Sequence, residues 1–213
     1  VRKLLALVVV LVGLVLAYLV IDVLTKGIVE GRVENEFRDA SQLEVQDVSF
    51  SIDSFPFLAK LLVSSEVSAT LELEGIEDRG LTIDRFTLDV DGLTFDRMSA
   101  FNGEVKATGL DQATASLDLG ASAISDVVGV PVEIRDDGTV TAGGVTIQAT
   151  MSGDDLVLQG GGFAPGSVPV NVRRYLPCTP ETEVRADLVH LTCTTDQLPR
   201  IVNRVLGGVN LQG

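Results

Sequence analysis

Residue types able to carry reaction chemistry are few in this chain. His190 is its one histidine, and Cys178 and Cys193 are its two cysteines. A Ser-His-Asp or Cys-His centre needs an imidazole base beside a nucleophile. His190 lies instead in the alternating run Val184–Leu191, where a strand makes it a surface or packing residue. Two thiolates and one imidazole do not fill a four-ligand zinc site. There is no G-x-S-x-G, P-loop or G-x-G-x-x-G; Gly160-Gly161-Gly162 lacks the following Lys-Ser/Thr and reads as a turn. The carboxylate pairs Asp136-Asp137 and Asp154-Asp155 fall in expected hairpin tips, solvated rather than poised for acid–base work. Asp89-Val90-Asp91-Gly92 looks like a fragment of a calcium loop, but its glycine comes too early and the closing glutamate is missing, so it reads as a turn. The expectation is a protein with no enzymatic activity, no metal and no cofactor.

Binding chemistry is better represented, and it is apolar. Hydrophobic residues make up 46% of the 213 residues but aromatics only 5%, with eight Phe, two Tyr and no Trp. Sugar sites usually stack their rings on Trp or Tyr, so a lectin or glycosidase is disfavoured. A net charge of −14 excludes nucleic acid, a polyanion bound through Lys and Arg. The densest apolar feature outside the N-terminus is Ser54-Phe-Pro-Phe-Leu-Ala-Lys-Leu-Leu62, in which Phe55 and Phe57 flank Pro56. Two readings stay open for these rings: a plug folded into the core, or a greasy lip that meets lipid.

The elements that must position such residues follow from periodicity. Val29, Val33, Phe37 and Ala40 recur at helical spacing, so 23–40 is an amphipathic helix that continues the preceding apolar run or follows a break at Gly27 and Gly31. From residue 45 the period is two. Val48, Phe50 and Ile52 alternate with polar neighbours, as do Val67, Ala69, Leu71 and Leu73. Phe86, Leu88 and Val90 are out of phase with Leu81 and Ile83, which predicts a bulge near Arg85; Asp91-Gly92 reads as a turn before Leu93 and Phe95. Further strands are expected at 105–107 and 113–119, then a short helix capped by Ser122 and ending before Pro131. A hairpin at Asp136-Asp137-Gly138 leads to a run through Val145, Ile147 and Met151. Val184, Ala186 and Leu188 form a closing strand toward Cys193, and 195–206 a final helix. The expected class is α+β: a curled antiparallel sheet of roughly eight to ten strands with a helix near each end.

The N-terminus sets the expected compartment. Leu4–Ile21 is eighteen residues without a charge, preceded by Arg2 and Lys3. That length is at the lower limit for a bilayer span, and the basic flank places its N-terminal side in the cytoplasm. A cleaved secretion signal is the alternative. Either reading divides the chain into an anchor or signal, 1–23, and an extracytoplasmic domain, 24–213, on the periplasmic side of the cell membrane. Two cysteines in an exported chain suggest a Cys178–Cys193 disulfide.

The pattern resembles the LmeA-like family of actinobacterial envelope proteins, described as phospholipid-binding. The matching features are the apolar segment and helix, Ile52-Asp-Ser-Phe-Pro-Phe-Leu-Ala-Lys-Leu-Leu62, the alternating Val67–Leu73 run and the Ala113–Leu119 strand leading into Ser122–Val128. The closing strand and the helix carrying Leu198-Pro199 complete it, and Ser54 stands where the family's usual small residue, often Gly, precedes the Phe-Pro-Phe. The resemblance implies a tubular lipid-binding (TULIP-like) domain with no catalytic motif, a phospholipid and membrane as partners, and a role in envelope lipid or lipoglycan metabolism. An envelope membrane protein or glycosyltransferase is a further candidate partner. One-sided strands in excess of covering helices point the same way, because the uncovered apolar face can line a groove for acyl chains. Phe50, Ile52, Phe55, Phe57, Leu58, Val67, Leu71, Phe86, Leu88, Leu117 and Ile147 are expected to line or gate it. A non-enzymatic scaffold for another membrane protein is the competing reading, and a hydrolase with an unrecognised site stands behind both.

Overall fold

The computed structural model describes residues 2–40, 44–54, 56, 60, 66–95, 107–135, 137–160, 163–170, 172–185 and 187–205. Helix α1, Arg2–Ala40, is continuous through Gly27 and Gly31, so the apolar run and the amphipathic helix are one rod. At both glycines an added Cβ would meet nothing, and helix propensity on either side carries the backbone through.

Among the described residues, twelve strands form two antiparallel sheets rather than one, within the expected α+β class. The first is a curled half-barrel in the order β1 (Glu44–Ile52), β2 (Glu66–Asp78), β3 (Leu81–Phe95), β5 (Gln112–Gly120), β12 (Leu188–Thr195), β11 (Glu181–Arg185), with β4 (Ala107–Gly109) paired to the end of β3. The second runs β10 (Phe163–Pro169), β9 (Asp155–Gly160), β8 (Val145–Ser152), β7 (Val140–Ala142), β6 (Val132–Ile134). Helix α2, Ala121–Val128, leaves β5 at Gly120 and packs against strands of both sheets. A single turn, α3 (Val172–Tyr175), and a terminal α4 (Arg200–Val205) complete the fold.

Several local expectations are corrected. There is no bulge at Arg85: Glu74↔Arg85 and Ile76↔Ile83 stay in register, and β2 and β3 change buried face together, at Gly75 (φ 59°) on β2. The bulge falls at Asp91-Gly92, where two residues of β3 oppose Ser68; Gly92 (φ 65°) is inside a 15-residue strand and is not a turn. Ser122 does not cap α2. Gly120 is the N-cap, and the Ala121 amide is satisfied by the Asp187 carbonyl at 3.3 Å. The run after Gly138 is split by a Gly143-Gly144 turn into β7 and β8. The closing strand is a hairpin, β11–β12, turning at Asp187 (φ 66°). Strand β10 was hidden by Pro165 and Pro169; as the edge of its sheet it tolerates residues that cannot donate to a ladder.

Candidate lipid-binding face

Residues paired across a sheet share a face, so the register assembles the apolar side of the first sheet row by row. The middle row is Val48, Leu73, Phe86, Leu117 and Leu191. One step toward the end of β1 stand Phe50, Leu71, Leu88, Ala115 and Cys193. The next row is Ile52, Ala69, Val90 and Ala113, with Val67 paired to Leu93 beyond it. Side chains thus shrink along the face, from Leu and Phe to Ala and Val, and all of these are buried except the half-buried Phe50.

Of the expected lining residues, Phe50, Ile52, Val67, Leu71, Phe86, Leu88 and Leu117 lie together on this face. Ile147 does not join them: it pairs with Val140 in the second sheet. Phe55, Phe57 and Leu58 lie outside the described residues. The Phe86 ring packs on Tyr175 with centroids 5.8 Å apart, so the end of α3 lies against the middle row. Beneath it Arg174 Nη1 meets Asp78 Oδ1 at 2.9 Å and Tyr175 Oη donates to Asp78 Oδ2 at 3.1 Å. Burial, then the Asp78 charge, pushes the Tyr175 phenol far above its ordinary value. The Cys178–Cys193 disulfide, with Cα atoms 6.0 Å apart, ties the chain just after α3 to β12. Helix α4, with Leu198, Ile201 and Val202 buried about its start, packs on both α3 and α1 and so closes the gap between them.

The free edge of β1 is handled by α1. Glu30 accepts the Ile52 amide at 2.7 Å, and Glu34 accepts the Phe50 amide at 3.0 Å. Four residues of helix rise about 6 Å and two residues of strand about 6.6 Å, so carboxylates at i and i+4 match alternate strand amides. Arg38 continues the seam to Asp47 at 3.3 Å. The helix therefore runs antiparallel to β1 and covers an edge that would otherwise be open to pairing. Its domain-facing side is mixed: Phe37 is buried in the core, and Glu30 and Glu34 meet the strand edge. Val15, Leu16, Tyr18, Val20, Ile21, Val23, Leu24 and Ile28 point outward, 37–70% exposed, while Asp22 between them is fully buried. Among the described residues no helix is long and apolar enough to cross a membrane. The side chains of residues 2–14 of the apolar run are outside that description.

A family model of LmeA-like phospholipid-binding proteins matches residues 20–212. The chain belongs to the LmeA-like phospholipid-binding family. The match starts inside the exposed part of α1 and takes in both sheets and α4. No curated protein and no solved structure matches the chain. Its family is a lipid-binding one and is not known for enzymes.

The opposite, wet face of this LmeA-like sheet is a charge ladder. Asp47, Glu74, Arg85, Asp118, His190 and Glu183 stand side by side across six strands. Arg85 bridges Glu74 at 2.8 Å and Glu72 at 3.0 Å, and His190 Nδ1 lies 2.6 Å from Asp118 Oδ1. His190 is thus a cross-strand partner on the outer face, as the alternation suggested. Near it, burial, opposed by the Gly120 amide and aided by the Asp118 charge, raises the Asp84 carboxyl above its usual value. The features that sequence reasoning missed are the Glu30/Glu34 seam and the Asp78–Arg174–Tyr175 cluster. Glutamates four apart on a helix look like any solvent-facing stripe until the strand beside them is known.

Proposed function

We propose that the chain is a membrane-anchored, extracytoplasmic phospholipid-binding protein that holds acyl chains along the small-residue end of its first sheet. It would serve envelope lipid or lipoglycan metabolism by capture and release, without chemistry on the lipid. The observation that carries the reading, beside family membership, is the graded face: rows of Leu and Phe give way to Ala69, Ala113 and Val90 at the end from which the exposed apolar helix departs. Phe50, Ile52, Val67, Leu71 and Leu88 form the walls, with Phe86 and Leu117 at the closed end. Phe55, Phe57 and Leu58, in the connection that leaves Ile52, gate it, and α4 is the cover that an incoming chain displaces. Each CH₂ moved from water to this face contributes about 0.8 kcal/mol, so selectivity among headgroups and dependence on salt are both expected to be weak. The N-terminal half of α1 acts as the anchor, with 24–213 as the exported domain in an architecture of tubular lipid-binding type.

Filling the end of the face tests this. Ala113→Leu in the full chain is expected to abolish capture of a fluorescent phospholipid while circular dichroism stays native; Thr114→Leu, on the wet face, leaves capture intact. Normal capture by a folded Ala113→Leu variant removes this end of the sheet from the site. A second reading, a non-enzymatic scaffold for an envelope membrane protein or glycosyltransferase, draws on the wholly buried middle row under Tyr175. It predicts no lipid capture by the wild type.

A further inference from the structure

We infer that the domain is held with the Ile52–Ala113–Thr195 end of its first sheet toward the bilayer and the β2–β3 turn at Arg79-Gly80 away from it. The inference rests on the reading of α1 as the anchor and adds the orientation that this anchor imposes. Three facts combine. First, the exposed apolar residues of α1 surround it: at 100° per residue Val15, Leu16, Tyr18, Ile21, Val23 and Leu24 point in every direction. A protein partner covers one side of a helix, whereas a section that exposes apolar side chains on every side but that of the buried Asp22 is covered by lipid. This section is continuous with the uncharged run Leu4–Ile21, so its occupant is the hydrocarbon of a membrane.

Second, the same rod is fastened to the sheet at three levels, Glu30 to Ile52, Glu34 to Phe50 and Arg38 to Asp47. Moving toward the anchor along α1 therefore means moving toward Ile52 along β1. Third, Ile21 lies nine residues before Glu30, about 13 Å along the helix. The bilayer boundary thus falls about 13 Å beyond the Ile52 level, past the end of β1. The exposed Asp53, Asp91 and Asp111 sit at this end, so an anionic leaflet offers no Coulomb attraction and the helix must supply the proximity. A lipid drawn into the small-residue end would enter directly from the membrane.

The chain has no Trp, so one introduced Trp reports its own position. Gln112→Trp and Thr82→Trp place it at exposed sites on opposite ends of the sheet, about 30 Å apart along β3 and its partner. The full chain is reconstituted in phosphatidylcholine vesicles carrying dansyl-headgroup lipid. Energy transfer is expected to be several-fold stronger from Gln112→Trp than from Thr82→Trp; equal or reversed transfer overturns the orientation. Leu16→Trp in vesicles with brominated acyl chains checks the anchor separately. Its fluorescence should be quenched, and an unquenched signal sinks the anchor reading and the orientation with it. Gly27→Pro kinks the rod between membrane and seam. It should keep the Leu16→Trp quenching and lose the difference between the two ends; a preserved difference shows that the helix does not set the orientation.

Discussion

Replacing Glu30 and Glu34 together by Ala removes the acceptors of the Ile52 and Phe50 amides on the edge of β1. Hydrogen bonds to a charged group contribute about 1.5–3 kcal/mol each, and these two, at 2.7 and 3.0 Å, are only partly buried, which favours the lower figure. Against a loss of about 3 kcal/mol stand about 0.4 kcal/mol per site from the better helix propensity of Ala. The exposed Lys26–Glu30 pair, 3.6 Å apart, adds a few tenths to the loss. The net is about 2.5 kcal/mol, which corresponds to about 5–10 °C in Tm for a domain of this size. Because the effect is local, amide exchange at Phe50 and Ile52 is the sharper assay, and it should accelerate about seventyfold. Glu30→Gln with Glu34→Gln keeps a carbonyl oxygen at each site and should retain over half of the protection. Unchanged exchange at Phe50 and Ile52 in the alanine variant would refute the seam as the device that holds α1 to the sheet.

Other perturbations test other parts of the fold. Cys178→Ala with Cys193→Ala opens a loop of sequence separation 15 and is expected to cost about 3 kcal/mol in urea unfolding; a midpoint unchanged by the pair contradicts a stabilising bridge. Asp78→Ala strands the Arg174 guanidinium and the Tyr175 hydroxyl. It should cost about 2–3 kcal/mol, discounted because Arg174 keeps some solvent access, and Asp78→Asn should cost less; equal losses would count against the ion pair. Asp84 has its carboxyl raised by burial and by Asp118 above the ordinary 3.8. The proton is held more tightly in the folded state, so the associated stability is complete below the unfolded value and is lost as pH rises through the folded one. Asp84→Asn should therefore raise Tm slightly at neutral pH and leave it unchanged well below 3.8; a gain of equal size at both would contradict this.

The alternation of apolar and polar residues made the buried face readable in advance. Leu71, Phe86, Leu88 and Leu117 share one face because a period of two allows no other placement on adjacent strands. The disulfide was readable because a chain with two cysteines, expected from its N-terminus to be exported, has one way to pair them. Asp91-Gly92 was not, because the same dipeptide serves a turn and a bulge, and the choice depends on whether Ser68 on the neighbouring strand has room for two opposing residues. The second sheet escaped notice because β6 and β7 are three residues long, too short to show a period, and because Ile147 alternates whichever sheet it joins. The graded small-residue end could be seen only after register placed Ala69 beside Val90 and Val90 beside Ala113.

Native mass spectrometry of the full chain, purified from membranes in mild detergent and released from the micelle, tests the central claim most directly. Phospholipid binding through acyl chains predicts a charge-state series displaced by the mass of a phospholipid, with several headgroups represented and the displaced series lost in Ala113→Leu. A spectrum containing the bare chain alone, from protein whose near-native fold is confirmed by its disulfide and its Tm, would contradict lipid binding and leave the scaffold reading in its place.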